Sequence, residues 1–142
     1  MSNRTGAATG GEYADLGFTL GQVIQEFGWD DDVDESLRER IADDTGEEMP
    51  DEDYTDIADG AILWWRFDDG DADDLADLLT DAIANLDEGG TIWVLTPKSP
   101  RSDAVQLRLV SDAATTAGVN PTSTEPVAAD WIGTRIQVKP RA

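Results

Sequence analysis

Acidic side chains are concentrated after two apolar segments of this sequence. Asp30 and Asp31 follow the first segment, and Asp68 and Asp69 follow the second. Carboxylate oxygens are preferred ligands of Mg²⁺ and Ca²⁺, and carboxylates held close together raise one another's pKa. These four residues are therefore candidate metal ligands or candidate acids and bases. Because Asp is also the ordinary residue of turns and helix caps, a purely structural role is the alternative explanation.

Two of the few basic residues, Lys98 and Arg101, follow a third apolar segment. An ammonium and a guanidinium group on one loop are suited to an anionic ligand such as a phosphate or a carboxylate, with Arg66 contributing if it reaches the same edge of the sheet. The simpler interpretation is that they neutralise the neighbouring aspartates. The hydroxyls of Thr96 and Ser99 are nearby, but no base is placed to activate them as nucleophiles.

The residue types that are missing exclude several kinds of chemistry. The chain has no Cys and no His, which rules out disulfides, thiolate zinc sites, cysteine nucleophiles and imidazole bases. We therefore predict no catalytic residue and no cofactor, and we favour a non-enzymatic role.

The charge of the chain is strongly negative and unevenly distributed. The 142 residues include 31 acids and 10 bases, a net charge of −21. Of these, 27 acids and four bases fall in residues 1–95, whereas residues 96–142 hold four acids and six bases. Such a surface repels phosphate backbones and anionic membranes. We expect a basic protein partner, with no direct nucleic-acid or membrane binding; the alternative is that the acidity only confers solubility.

The chain is expected to form one domain in the cytoplasm. No apolar run approaches the roughly 20 residues that span a bilayer, and the polar start lacks the apolar region of a signal peptide. Residues 1–15 are small, polar and rich in Gly, which predicts a disordered tail. Residues 16–142 are predicted to form a single α/β domain.

Hydrophobic periodicity predicts alternating strands and helices. Residues 22–28 fit either a strand or a short helix, and their length favours a strand. A helix capped by Asp32 or Asp34 is expected to end at Gly46. The remaining predicted elements are a strand at 61–67, a helix at 72–86, a strand at 91–96, a helix at 105–117 and an antiparallel pair at 119–128 and 132–138. The strand at 61–67, which includes Phe67, is predicted to be buried on both faces. The helix that follows it has Leu75, Leu79 and Ala82 on its apolar stripe and is predicted to stop at Gly89-Gly90.

This order of elements resembles a shortened class I methyltransferase-like Rossmann fold. More closely, Phe27-Gly28-Trp29-Asp30-Asp31-Asp32, Leu63-Trp64-Trp65-Arg66, Trp93-Val94-Leu95-Thr96-Pro97-Lys98 and Asp130-Trp131-Ile132-Gly133 are similar to a family of small bacterial proteins known as a domain of unknown function. The resemblance implies an α/β three-layer sandwich of about five strands, mostly parallel, with a C-terminal antiparallel pair. It implies no activity.

The sequence departs from working methyltransferases at the cofactor turn. A Gly-rich turn after the first strand lets the backbone approach the cofactor, and an acidic residue after the next strand holds the ribose. Here a single glycine, Gly28, is followed by the bulky Trp29, and residues 46–59 leave little room for another strand and helix. The sequence therefore argues against an intact S-adenosylmethionine site.

Five tryptophans are a large number for 142 residues. Trp64, Trp65 and Trp93 lie within predicted strands and are expected in the core. Trp29 and Trp131 fall in predicted turns, so they are candidates for a partner surface. The leading hypothesis is an interaction module that presents Trp29, Trp131 and an acidic face to a basic protein.

Two other functions stay open. One is a small-molecule or divalent-cation-dependent site at the carboxyl ends of the strands, where open α/β sheets bind ligands. The other is a homo-oligomer formed through the nearly neutral C-terminal part.

Overall fold

The computed structural model describes residues 16–98 and 105–138, except for the side chain of Glu88. In chain order the elements are β1 (Ile24–Phe27), α1 (Glu35–Thr45), β2 (Ala58–Trp64), a 3₁₀ helix (Phe67–Asp69), α2 (Ala72–Asn85), β3 (Leu86–Pro97), α3 (Leu107–Ala117), β4 (Pro121–Ala128) and β5 (Trp131–Gln137). The predicted N-terminal tail and Arg101 lie outside the described residues. None of the described helices combines the length and apolarity needed to cross a membrane.

The strands form one five-stranded sheet with the order β1-β2-β3-β5-β4. β1, β2 and β3 are parallel, whereas β5 runs antiparallel to both β3 and β4. This arrangement confirms the predicted mixed sheet and its antiparallel pair at the C-terminal end. It also confirms that residues 24–27 form a strand rather than a helix. β1 is an edge strand, and no strand among the described residues lies beyond it.

Both faces of the sheet are buried. Successive side chains of the central strands point to opposite faces, and each face packs in its own hydrophobic core. Leu63 and Trp65 pack on one face, in a core shared with α2 and α3. Trp64 and Trp93 pack on the other face, in a core that includes Leu37 and Ile41 of α1 and also Trp131. The result is the three-layer sandwich, with Trp64, Trp65 and Trp93 buried as predicted.

Three aspartates stabilise the starts of helices. The Asp34 carboxylate accepts a hydrogen bond from the Leu37 N–H at 2.9 Å and begins α1. At the start of α2, Asp71 and Asp74 exchange backbone-to-side-chain hydrogen bonds of 3.0 Å in a capping box. Part of the acidity is therefore explained by local helix chemistry.

The connection between α2 and β3 differs from the prediction. A glycine stop at residues 89–90 was expected to separate the helix from a strand that begins at Thr91. Instead α2 ends at Asn85 and β3 begins at Leu86, with an irregularity in the β2–β3 pairing between Ala58 and Gly60. The two glycines lie inside the strand because a bulged strand accommodates residues without large side chains.

Candidate functional site

Arg66 occupies the centre of the carboxyl edge of the sheet, two residues beyond the end of β2. Only 8% of the residue is exposed. Its Nη1 donates to the carbonyl oxygens of Gly28 at 2.7 Å and Trp64 at 3.3 Å. Its Nε donates to Asp32 Oδ2 at 3.1 Å, and its Nη2 donates to the other oxygen of the same carboxylate. Asp69 completes the set by accepting from the Arg66 backbone N–H at 2.9 Å.

The guanidinium also lies over an aromatic ring. Its Cζ atom is 5.4 Å from the centroid of the Trp131 ring, which meets Trp64 edge-to-face at 4.7 Å. Burial by itself would lower the pKa of Arg66, but the hydrogen bond and charge of Asp32, with the charge of Asp69, raise it overall. The side chain is therefore a permanent cation. We call Gly28, Asp32, Trp64, Arg66, Asp69 and Trp131 the Arg66 cluster.

The position of Trp131 corrects one prediction. The residue was expected in an exposed turn as part of a partner surface, but it begins β5 and is only 1% exposed. Its ring is buried against Trp64 and Arg66. The turn itself lies one residue earlier, so the indole belongs to the core and cannot contact a partner.

Gly28 makes a close contact with its own chain. It has a φ of +77°, and a Cβ at this position would lie 2.4 Å from the carbonyl oxygen of Trp64. Its own carbonyl accepts from Arg66. A glycine after the first strand of a Rossmann-like fold usually admits a ligand. Here the close approach is made by β2 and the Arg66 side chain.

The four candidate metal ligands do not gather around one point. Asp30 Oδ1 accepts from the Asp31 N–H at 2.7 Å, a local turn contact, and Asp69 is held by Arg66. Among the described residues, no group of three or more acidic side chains is placed to hold a metal ion. A metal or acid–base site at Asp30, Asp31, Asp68 and Asp69 stays a prediction, and the contacts seen at Asp30 and Asp69 are those of a turn and an ion pair.

The anion-binding interpretation receives no support at Lys98, the residue of that pair that the structure describes. The Lys98 backbone N–H donates to the Asp130 carbonyl at 2.8 Å, which joins the end of β3 to the β4–β5 turn. Arg101 lies outside the described residues, so an anion site that includes it stays a prediction. Arg66, which was expected to contribute to such a site, is instead engaged by Asp32.

Two large aromatic side chains are exposed at this edge. Trp29 follows Gly28 and is 53% exposed, and Phe67 follows Arg66 and is 62% exposed. The hydrogen bond between Arg66 and Gly28 brings these two turns together. Phe67 was predicted to be buried in the strand, but β2 ends at Trp64 and the chain turns into the 3₁₀ helix.

The aromatic residues have acidic neighbours in both turns. Asp30, Asp31 and Asp68 are exposed and adjacent to them in the chain. We call Trp29, Phe67, Asp30, Asp31 and Asp68 the carboxyl-edge patch.

A second ion pair lies on β1 and was not anticipated from the sequence. Glu26 is buried, and its Oε2 accepts from Arg38 Nε at 2.7 Å and from Trp64 Nε1 at 2.9 Å. Its Oε1 accepts from Arg38 Nη2 at 2.8 Å. The hydrogen bond to Glu26 raises the pKa of Arg38, although burial opposes the rise. The available signal was a charged residue inside a predicted strand.

This pair predicts a difference between two conservative substitutions. Glu26→Gln removes the charge that Arg38 and Trp64 share in the interior, so we expect the free energy of unfolding to fall by about 2–3 kcal/mol. Glu35→Gln removes the exposed partner of the same arginine, which lies 2.9 Å from it. That change is expected to cost less than about 1 kcal/mol. Urea unfolding followed by tryptophan fluorescence measures both, and equal losses would contradict a structural role for Glu26.

Comparison with solved structures defines the fold as that of Rossmann-like methyltransferases. PigF, solved with SAH, superimposes with a TM-score of 0.61 and 13% identity over 82% of this chain. A methyltransferase from Pyrococcus furiosus gives a TM-score of 0.53 and 14% identity over 87% of this chain and 77% of its own. The chain spans about half the length of PigF, at 50%. These likenesses concern the fold alone.

The family is shown by the sequence itself. Residues 13–140 match the family described as a protein of unknown function (DUF3052), and the chain belongs to it. Uncharacterized proteins of Mycobacterium bovis and Mycobacterium tuberculosis are 44% identical over 128 residues, which cover 89% of this chain and 78% of theirs. The predicted family resemblance and the methyltransferase-like fold are thus confirmed.

Proposed function

We propose that this protein is a non-enzymatic interaction module that binds a basic protein segment through the carboxyl-edge patch. The observation that carries the proposal is the exposure of Trp29 and Phe67, 53% and 62%, on adjacent turns with acidic neighbours. Large aromatic side chains exposed within a polar rim are typical of interaction sites.

The chemistry of the patch favours a partner rich in Arg or Lys. Aromatic faces attract guanidinium and ammonium groups, and the carboxylates of Asp30, Asp31 and Asp68 supply opposite charge around them. The net charge of −21 adds long-range attraction that speeds encounter with a basic protein. The same charge disfavours nucleic acids as partners.

The interior beneath the patch is arranged for stability rather than for proton transfer. Arg66 donates to two backbone carbonyls and to Asp32, and its raised pKa keeps it charged. Such a group neither accepts nor releases a proton near neutral pH. This supports a binding role for the edge in preference to acid–base chemistry at Arg66.

Site-specific crosslinking tests the proposal. A photoreactive phenylalanine analogue at position 29 is expected to capture a defined basic protein in native cells. The same analogue at position 20, which is 78% exposed before β1 at the opposite edge, is expected not to capture it. Capture of the same proteins at both positions, or of none, would refute the proposal.

The identified partner then allows a quantitative prediction. Trp29→Ala and Phe67→Ala are each expected to weaken its binding at least tenfold, because truncating a central aromatic anchor costs about 2 kcal/mol or more. Leu20→Ala is the control and is expected to leave affinity unchanged. Titration calorimetry at two salt concentrations measures the affinities, and raising the salt should weaken binding.

A small-molecule site at the strand ends is the second candidate. The polar atoms Trp65 Nε1, Thr96 Oγ1 and Thr134 Oγ1 are buried without a hydrogen-bond partner on the side of the sheet covered by α2 and α3. Buried polar groups are normally paired, so these three are available to a ligand or to water. S-adenosylmethionine is the first compound to test, since PigF was solved with SAH.

Thermal unfolding separates the two candidates. A ligand at 100 times its dissociation constant adds about 2.7 kcal/mol of stability. The interaction proposal expects no specific stabilisation by S-adenosylmethionine, nucleotides or divalent cations. A specific shift that Trp65→Phe abolishes would favour the small-molecule site instead.

A further inference from the structure

A cavity of about 240 Å³ opens on the outer side of β1, between the segment at residues 51–55 and α2. Its wall combines apolar, aromatic and acidic side chains: Phe27, Glu52, Tyr54, Leu78, Asp81 and Asn85. Phe27 is buried and forms part of the hydrophobic core, and Leu78 packs against the same core. The cavity therefore has an apolar floor with polar groups around it.

The electrostatics of the cavity favour a cation. The carboxylates of Glu52 and Asp81 both line it, and none of its lining residues is Lys or Arg. The C-terminal end of α2, at Ala84 and Asn85, also borders it, and the last turn of that helix has no basic residue. Helix C-termini carry partial negative charge that attracts cations. The two carboxylates and the end of the helix therefore all favour the binding of a cation in the cavity.

Hydrogen bonds around the cavity leave acceptors for a ligand. The amide nitrogen of Asn85 donates to Gln25 Oε1 at 3.0 Å and to the Tyr54 carbonyl at 2.9 Å, so its amide oxygen is the group left to accept. Glu52 uses Oε1 to accept from Gly28 N–H at 3.3 Å, which leaves its second oxygen. The Tyr54 hydroxyl donates to the Ile57 carbonyl at 2.9 Å, which fixes the aromatic ring.

We infer that this cavity binds the guanidinium group of an arginine side chain. A guanidinium is planar, stacks on aromatic rings, carries five N–H donors and is more weakly hydrated than an ammonium group. Those properties match a site with a fixed Tyr54 ring, two carboxylates and an amide oxygen. An ammonium group would also be attracted to the ring, but it has no planar face to stack on it and fewer N–H donors.

The inference rests on the proposed function, because it assigns the residue type that the partner segment inserts. The cavity borders the carboxyl-edge patch: Glu52 lines the cavity and contacts Gly28, the residue before Trp29. A basic segment that lies across Trp29 therefore passes the mouth of the cavity. The inserted arginine would anchor the segment against β1.

Binding of a small probe tests the cavity separately from the partner. N-acetylarginine amide, titrated at low salt and followed by ¹H–¹⁵N NMR, is expected to give saturable shifts at Glu52, Asp81 and Asn85. The neutral isostere Nα-acetylcitrulline amide is expected to give no shifts. Nα-acetyl-lysine amide, which keeps its side-chain ammonium group, is expected to bind at least threefold more weakly than the arginine probe. Equal responses to the arginine and citrulline probes would overturn the inference.

Matched variants locate the binding. Asp81→Asn is expected to weaken N-acetylarginine amide binding three- to tenfold. Asp112→Asn makes the same charge change on the exposed side of α3, away from the cavity, and is expected to leave the affinity within twofold of the unaltered protein. Equal losses in the two variants would indicate general charge attraction and refute the site.

Failure of the cavity inference can be distinguished from failure of the proposed function. The Trp29→Ala, Phe67→Ala double variant is expected to bind the arginine probe normally, because neither residue lines the cavity. If crosslinking at position 29 fails while the probe still binds, the proposed function fails and the cavity stands. If crosslinking succeeds and the probe does not bind, the cavity inference alone fails.

Discussion

Arg66→Ala is expected to lower the free energy of unfolding by about 2–4 kcal/mol, because the buried guanidinium pairs two backbone carbonyl oxygens, whereas its ion-pair partner Asp32 is partly exposed and adds less. The substitution leaves the carbonyl oxygens of Gly28 and Trp64 without this donor and leaves the Asp32 carboxylate without its guanidinium. It also removes the cation from the face of Trp131. Domains of this kind have about 5–15 kcal/mol of stability in total, so the loss is large.

Urea unfolding followed by tryptophan fluorescence measures the change. Arg108→Ala removes an exposed arginine from α3 and serves as the control, with an expected effect of less than about 0.5 kcal/mol. Arg66→Lys keeps the charge but loses the planar fork, so its cost should lie between the two. A loss below about 1 kcal/mol in Arg66→Ala would contradict the structural role of the cluster.

That result also bears on the proposed function. If Arg66 could be removed at little cost, its guanidinium would be available to bind an anion at the carboxyl edge. The small-molecule alternative would then gain support. A large cost means instead that Arg66 holds three strand ends together: the end of β1 through Gly28, the end of β2 through Trp64, and the start of β5 through Trp131.

Local patterns were sufficient to predict most of the fold. The helical spacing of Leu75, Leu79 and Ala82 predicted α2, and all three are buried. Alternation along β2 predicted its two buried faces, because successive side chains of a strand point to opposite sides. The predicted stop of α1 at Gly46 is confirmed by its left-handed backbone there.

The sequence predicted which edge of the sheet carries the site, but not which of its side chains pair with one another. The sequence placed Asp30, Asp31, Asp68 and Asp69 near one another because parallel strands end together. It could not show that Asp32 pairs with Arg66, since that choice depends on the turn geometry of residues 28–34, and a shift of one residue redirects the carboxylate.

Burial of the turn residues was likewise unpredictable from local pattern. Trp131 and Phe67 were assigned the wrong environments because each lies at a strand boundary. A difference of one to three residues in where a strand begins or ends decides whether a ring enters the core or faces solvent. The pairing of Glu26 with Arg38 joins β1 to α1, so it depends on how the helix docks on the sheet.

Gly28→Ala is expected to be as damaging as the loss of Arg66, and it tests why the glycine is there. A left-handed backbone costs a residue with a Cβ about 1–2 kcal/mol. At this position the new Cβ would also lie 2.4 Å from the Trp64 carbonyl oxygen. Because that oxygen is a backbone atom, no change of side-chain rotamer can relieve the clash. β1 and β2 would have to separate where Arg66 joins them. We expect a total loss above about 3 kcal/mol.

Gly118→Ala isolates the contribution of the close contact. Gly118 has a φ of +85° after α3, and a Cβ there would meet nothing within 4 Å, so only the cost of the left-handed backbone applies. Its expected loss is about 1–2 kcal/mol. A Gly28→Ala variant that unfolds in urea like Gly118→Ala would show that the space beside Gly28 is not filled by β2. In that case the glycine would be free to serve a ligand, as the glycines of dinucleotide-binding Rossmann folds do. The larger loss that we expect would mean that Gly28 serves the contact between β1 and β2.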